Sequence, residues 1–286
     1  MAKTRASLRG HTMLEKLVIG AGAMKAGTTW LYKQLEVHPQ VHFTPEKELH
    51  YFSHNKGLGL KLAHSDRQKK LQLVVKKKQS VKTIDWYKNY AEPEVVTDQW
   101  YCSLFQSVPR NVYCADFSNQ YSLLEEEDLE KILNIAKHVK VIYTLRDPLA
   151  RLWSHIKFHY KFKGEEDLVD ELTLKEFRKL INKAWFWKNV EYASNYDRLV
   201  NVFGQENVKV FYLEDFIAFP QGSLWHLEKF LAIRHIDYQS DASDTKINAS
   251  KELSMPTQWE KIAMRKLKPY YEEFYARNLN HPSWRY

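Results

Sequence analysis

Short apolar runs alternate with helical spacings along this chain. Leu17, Val18 and Ile19 form one such run, the pattern of a buried strand. Gly20, Gly22 and Gly27 punctuate the turn that follows. From Thr28 the spacing turns helical through Trp30, Leu31 and Leu35, and it ends near His38-Pro39 because proline cannot continue a helix. Val41 to Phe43 alternates as a short strand that Pro45 breaks. Residues 111–124 begin as a strand and end in a turn. Residues 125–139 read as an amphipathic helix with Leu129, Ile132, Leu133 and Ile135 toward the core. Its first turn is acidic and its last carries Lys137 and His138, as the helix dipole favours. The unbroken run KVIYTL at 140–145 has the pattern of a central parallel strand, and Pro148 suits the first turn of the next helix. Further on, 172–203 and 223–233 read as helices, 207–216 as a strand with an acidic end, and 237–250 as a polar loop. One or two helices follow Pro256.

Strands alternating with helices predict an α/β fold, a single domain with a central parallel β-sheet flanked by helices. No internal repeat or linker divides it. Residues 16–286 therefore read as one domain, preceded by a loose polar arm at 1–15. A basic surface insertion at 54–82 carries Lys76, Lys77 and Lys78 and is poor in aromatics.

Composition narrows the partners. The 286 residues are 44% hydrophobic and 14% aromatic, enough for a substantial core. The net charge of +8 favours anionic partners without choosing among them. No helix-turn-helix, zinc or ribonucleoprotein signature is present, so nucleic acid is not an expected partner. Cys102 and Cys114 have neither metal-site spacing nor the density of a disulfide scaffold, and read as free, buried thiols. No His/Cys/Asp/Glu cluster calls for a metal. No stretch approaches the roughly 18 apolar residues of a membrane span, and the basic N-terminus lacks the apolar core of a secretory signal. The expectation is a cytoplasmic protein without stable membrane insertion.

The candidate chemistry starts at the first turn. Strand, Gly-rich turn and helix form a P-loop-like arrangement that cradles phosphate, because unpaired N–H groups and the helix dipole face the anion. Lys25 adds a cation, and Thr28 and Thr29 add hydroxyls. The nucleotide P-loop GxxxxGK[ST] needs its Lys directly after the last Gly, whereas Lys25 precedes Gly27 by two residues. The dinucleotide fingerprint GxGxxG fails because Lys25 stands where glycine is required. Glu46, Lys47, Glu48 and His50 follow a strand, the composition of acid–base chemistry or of a solvated loop. R-D-P-x-x-R-x-x-S at 146–154 places Arg146, a planar fork of donors, two helical turns before the Ser154 hydroxyl. In isolation such a motif is an ordinary helix start.

Together these motifs resemble a known family. K-A-G-T-T-W-L at 25–31 resembles the 5′-phosphosulfate loop of sulfotransferases that use 3′-phosphoadenosine-5′-phosphosulfate (PAPS), and the 146–154 motif resembles their 3′-phosphate element. T-P-E-K-E-L-H-Y-F at 44–52 looks like the branch containing heparan sulfate sulfotransferases and bacterial relatives. The resemblance spans roughly residues 16–250. It implies PAPS as donor and PAP as product, with no metal. It implies cofactor contacts from Lys25, Ala26, Gly27, Thr28, Thr29, Trp30, Arg146 and Ser154. The catalytic carboxylate falls on Glu48, with His50 as the alternative base and Lys25 at the leaving group. A-D-F-S-N-Q-Y at 115–121 implies substrate-side roles for Asp116, Ser118 and Tyr121, joined by Trp86 and Tyr87 of IDWY. The family's late Arg-Lys-Gly loop has no clear match, and Lys246, Asn248, Ser250 and Lys251 are candidates to replace it. Thr29-Trp30-Leu31 looks instead like the cytosolic small-molecule sulfotransferases, whose base is a later His. The expected acceptor is a hydroxyl on a glycan, glycolipid or small metabolite. Two other readings stay open: a P-loop kinase-like phosphotransferase, and a non-catalytic anion- or glycan-binding protein on the same fold.

Overall fold

Strands β1 (Leu14–Gly22), β2 (Val41–Phe43), β3 (Tyr113–Asp116), β4 (Ala136–Leu145) and β5 (Val208–Tyr212) pair in parallel as one sheet. The computed structural model describes residues 13–58, 62–238 and 253–284. The connections carry α1 (Thr28–Leu35), α2 (His64–Lys76), α3 (Val81–Ala91), α4 (Asp98–Ser103), α5 (Glu126–Leu133), α6 (Pro148–Phe162), α7 (Leu174–Leu180), α8 (Tyr192–Phe203), α9 (Leu213–Ala218) and α10 (Pro220–Leu231). Helix α11 (Thr257–Ala276) closes the chain.

The sheet order is β2-β3-β1-β4-β5, as expected for a parallel α/β domain. β1 lies at its centre because its apolar run serves both faces. Side chains alternate across a strand. Leu17, Ile19 and Ala21 therefore pack with Val141 and Tyr143 against Leu129, Ile132, Leu199 and Phe274 on one side. Val18 and Ile142 pack on the other, under Leu31 and Leu35 of α1 and Leu224 and Leu227 of α10. A third cluster joins Leu152 and Ile156 of α6 to Phe177 of α7 and Trp259 of α11. Cys102 and Cys114 are free and buried.

Residues 125–139 do not form one helix. α5 stops at Leu133, and Ala136–Lys140 open β4, paired with β1 from Leu14 opposite Ala136. The ladder along a long central strand outweighs the helical spacing. Lys137 and His138 are thus strand residues, and Leu133 is exposed rather than core. Residues 172–203 likewise break into α7, a short 3₁₀ turn at Ala184–Phe186 and α8. Glu214 and Asp215 lie in α9 rather than on the strand. The 54–82 stretch carries α2 and leads into α3. Most of the expected N-terminal arm lies outside the described residues, as do Lys246, Asn248, Ser250 and Lys251.

The strand order also fixes where a ligand fits. From β1 the chain crosses toward β2 on one side, and from β4 it moves to β5 on the other. Ligand crevices in open parallel sheets form at the carboxyl ends of such diverging neighbours. The Gly-rich turn leaves β1 there, and Arg146 leaves β4 there.

Candidate functional site

The turn after β1 has a backbone that only certain residues tolerate. Gly22 has φ +123°, and a Cβ on it would lie 2.5 Å from the Asn119 carbonyl oxygen. Gly27 caps α1 at φ +92°, with Leu213 Cδ1 2.9 Å from where its Cβ would stand. Both positions need glycine. The turn is tied to β4: Ala23 N donates to the Thr144 carbonyl at 2.7 Å, and Thr144 Oγ1 donates to the Gly22 carbonyl at 2.8 Å. No side chain caps the amino end of α1, so its first N–H groups stay available to an anion.

Arg146 is held by its neighbours rather than by a carboxylate. Its carbonyl accepts from the Tyr192 hydroxyl at 2.9 Å, and its Nη1 reaches the Lys25 carbonyl at 3.4 Å. Asp147 caps α6 by accepting from Ala150 N at 2.8 Å, and its other oxygen accepts from the Tyr271 hydroxyl at 2.9 Å. Asp147 N donates to Glu214 Oε1 at 2.7 Å. The R-D-P sequence therefore builds a helix start that sets the Arg146 side chain against the turn after β1. Ser154 follows two turns later on α6, largely buried.

Lys25 sits among cations. Burial first, then Arg146, Lys161, Lys157 and Lys47, pull its pKa down to about 8. Its ammonium lies 4.5 Å from the centre of the Phe158 ring. Among the described residues neither Lys25 nor Arg146 has a carboxylate ion-pair partner. Lys25 and Arg146, two cations beside a helix amino end, suit a multiply charged anion.

The segment after β2 brings a carboxylate to the same place. Lys47 Nζ donates to Thr29 Oγ1 at 2.9 Å and reaches Glu48 Oε1 at 3.4 Å, bridging the phosphate-type turn and the carboxylate. Asn119 Nδ2 donates to both Glu48 oxygens at 3.2 and 3.3 Å. His50 Nε2 lies 3.0 Å from Glu48 Oε2, close enough for charge attraction but off the line of a hydrogen bond. Burial pushes the Glu48 carboxyl upward, but His50 and Lys47 outweigh it and hold the group below the usual carboxylate range. Glu48 is thus an ionised carboxylate at neutral pH.

Asp116, Ser118 and Tyr121 lie beneath the site, all fully buried. His50 N donates to Ser118 Oγ at 2.9 Å, and Ser118 Oγ donates to Asp116 Oδ1 at 2.6 Å. Tyr121 and Tyr101 hydroxyls donate to Asp116 Oδ2 at 2.7 and 3.1 Å. These residues fix the Glu48–His50 turn, with His50 at φ +54°, and offer no surface to a substrate. Trp86 Nε1 donates to the Leu104 carbonyl, and the Tyr87 hydroxyl donates to Glu46 Oε1 at 2.6 Å, so both belong largely to the packing of α3. Ala26 is buried, with its N–H donating to the Ala23 carbonyl at 3.2 Å, and Trp30 stacks on Phe216, so neither side chain is presented to a ligand. In the sequence Lys47 stands only as one of the acid–base cluster after β2, not as a bridge to Thr29, and Asn119 has no role. The only signal was position, one beside Glu48 and the other within A-D-F-S-N-Q-Y.

A model described as the sulfotransferase family matches residues 18–237. The chain belongs to the sulfotransferase family. Its fold is similar to a sulfotransferase from Alicyclobacillus acidocaldarius, with TM-score 0.65 and 19% identity, covering 96% of this chain and 100% of that one. It is also similar to the sulfotransferase domain of the curacin biosynthetic pathway, with TM-score 0.55 and 18% identity over 90% and 99% of the two chains. The sulfotransferase domain of the Synechococcus PCC 7002 olefin synthase gives TM-score 0.52 and 13% identity over 92% and 98%. No curated protein matches. In this sulfotransferase no described helix is long and apolar enough to cross a membrane.

Proposed function

We propose that this sulfotransferase moves a sulfuryl group from PAPS to an acceptor hydroxyl and releases PAP. The observation that carries the reading is the Lys47 bridge, which sets an ionised Glu48 beside Thr29 of the anion turn. An acceptor base thereby stands next to the donor cradle. The residues fit the donor: Arg146 and Ser154 suit one phosphate, and the start of α1 with Lys25 suits the other end. PAPS, when bound, supplies the sulfuryl group.

This chain's own residues would do the rest. The N–H groups around Gly27, Thr28 and Thr29 hold the anion in line. Lys25 carries a positive charge toward the leaving oxygen, where negative charge grows in the transition state. Glu48 takes the acceptor proton, steadied by Asn119 and Lys47. His50 is the weaker candidate base, because its ring is nearly enclosed, with Nε2 turned to Glu48 Oε2 at 3.0 Å and Nδ1 3.4 Å from Ser53 Oγ. The acceptor belongs to the carbohydrate, glycolipid or small-metabolite hydroxyls, in a cytoplasmic setting. Calorimetry with PAP and with ATP–Mg²⁺ tests the donor. Tight binding of PAP alone is expected, and preference for ATP–Mg²⁺ overturns the reading in favour of a phosphotransferase.

A further inference from the structure

The helical pair α2–α3 has two unlike parts. Its stem is locked: the buried guanidinium of Arg67 donates to the carbonyls of Leu62, Tyr90 and Pro93 and lies 5.5 Å over the Trp100 ring. The lysines along the stem are paired, Lys69 with Asp66, Lys70 with Glu46 and Lys88 with Asp85. The Lys70–Glu46 contact at 2.5 Å fastens the stem to the segment that carries Glu48.

The tip is different. Lys76, Lys77, Lys78 and Lys82 are exposed, and among the described residues none has an ion-pair partner. Interspersed with them, Leu73 and Val75 are each 50% exposed and Val81 75%. The turn between the helices is short: Lys78 takes φ +50°, and Ser80 caps α3 by accepting from Thr83 N. Cations and aliphatic side chains are thus presented together by a rigid stem.

We infer that this tip docks the protein on an anionic membrane surface. A lipid interface rewards both components at once: lysines meet the headgroup charge while short aliphatic side chains enter the headgroup–acyl boundary. A sulfated glycan or a nucleic acid would gain from the lysines alone, and the three exposed aliphatics would then have no use. Each lysine near an anionic leaflet strengthens binding about fivefold at low salt, so four together give several hundredfold. The contact is peripheral and screened by salt within about 10 Å at 0.1 M. It does not depend on the identity of the donor or acceptor, although the Glu46 contact would place the Glu48 side of the site near the surface.

The test is flotation of the full chain with phosphatidylcholine vesicles made with and without phosphatidylglycerol, at low and high salt. The expected result is binding to the anionic vesicles only, reversed by salt. The triple variant K76E/K77E/K78E should lose at least about a hundredfold in partition. The double variant V75S/V81S, with every lysine kept, should bind several-fold more weakly. Both sets are exposed, so an unchanged melting temperature certifies the fold, and either variant alone suffices. Absence of binding to anionic vesicles overturns the inference. So does binding that the lysine substitutions leave intact. If V75S/V81S matches the parent on vesicles while heparin binding vanishes in the lysine variant, the tip reads a polyanion and the lipid reading fails.

Discussion

Replacing Ser118 with Ala separates a supporting role from a substrate contact. Ser118 Oγ accepts from His50 N at 2.9 Å and donates to Asp116 Oδ1 at 2.6 Å, and it is fully buried. The substitution removes one hydrogen bond to a carboxylate, worth about 1.5–3 kcal/mol, and leaves a buried N–H unsatisfied at a further 1–3 kcal/mol or so. Allowing for relaxation, the loss should be about 3 kcal/mol. For a domain of this size that corresponds to a fall of roughly 6 °C in melting temperature. Because His50 N anchors the turn that aims Glu48, turnover should drop as well, with the acceptor KM little changed. Denaturant titration and steady-state kinetics on one preparation measure both effects. A variant as stable as the parent whose defect is confined to acceptor KM would refute the reasoning and return Ser118 to the substrate.

Arg146→Ala should weaken PAP by about 30-fold or more, as expected when a buried charge-assisted contact is truncated, and calorimetry reads this directly. For Lys25, burial and surrounding cations set the pKa near 8, so the ammonium is lost as pH rises through that value. The kcat/KM profile should accordingly fall on its alkaline side from about pH 8, and a profile flat through that range would remove Lys25 from the chemistry. Lys25→Ala should cost on the order of 10²–10³ in turnover while the fold persists. Gly22→Ala forces a side chain into φ +123° and against the Asn119 carbonyl, and should destabilise by about 3 kcal/mol or more in denaturant titration.

Much of this architecture can be read from the chain because its signals are local. The apolar run at Leu17–Ile19, the Gly27 cap and the Arg146-Asp147-Pro148 helix start each depend on a few adjacent residues, and each falls where the spacing places it. The α5–β4 boundary escapes because its determinant is distant. Ala136 becomes a strand residue only because Leu14, 122 positions earlier, needs a partner in the ladder. The site shows the same division. Glu48 is visible from its motif, but what holds it depends on distant contacts: Asn119 comes from the segment after β3, and the adjacent Lys47 is fixed by its reach to Thr29. Asp116, Ser118 and Tyr121 carry the polar character of binding residues, and only the three-dimensional packing reveals that they are spent on one another and on the His50 backbone.

In the proposed reaction Glu48 and Lys25 act together on an acceptor and a sulfuryl donor. The most direct measurement follows label from ³⁵S-PAPS into a panel of oligosaccharides, lipids, phenols and small alcohols, comparing the parent with Glu48→Gln. Labelled product with one PAP released per transfer is expected. Glu48→Gln should lower turnover by about 10²–10⁴ at unchanged PAP affinity. Transfer at the parental rate by Glu48→Gln, or PAP binding by the parent with no label reaching any hydroxyl, would contradict the proposed reaction.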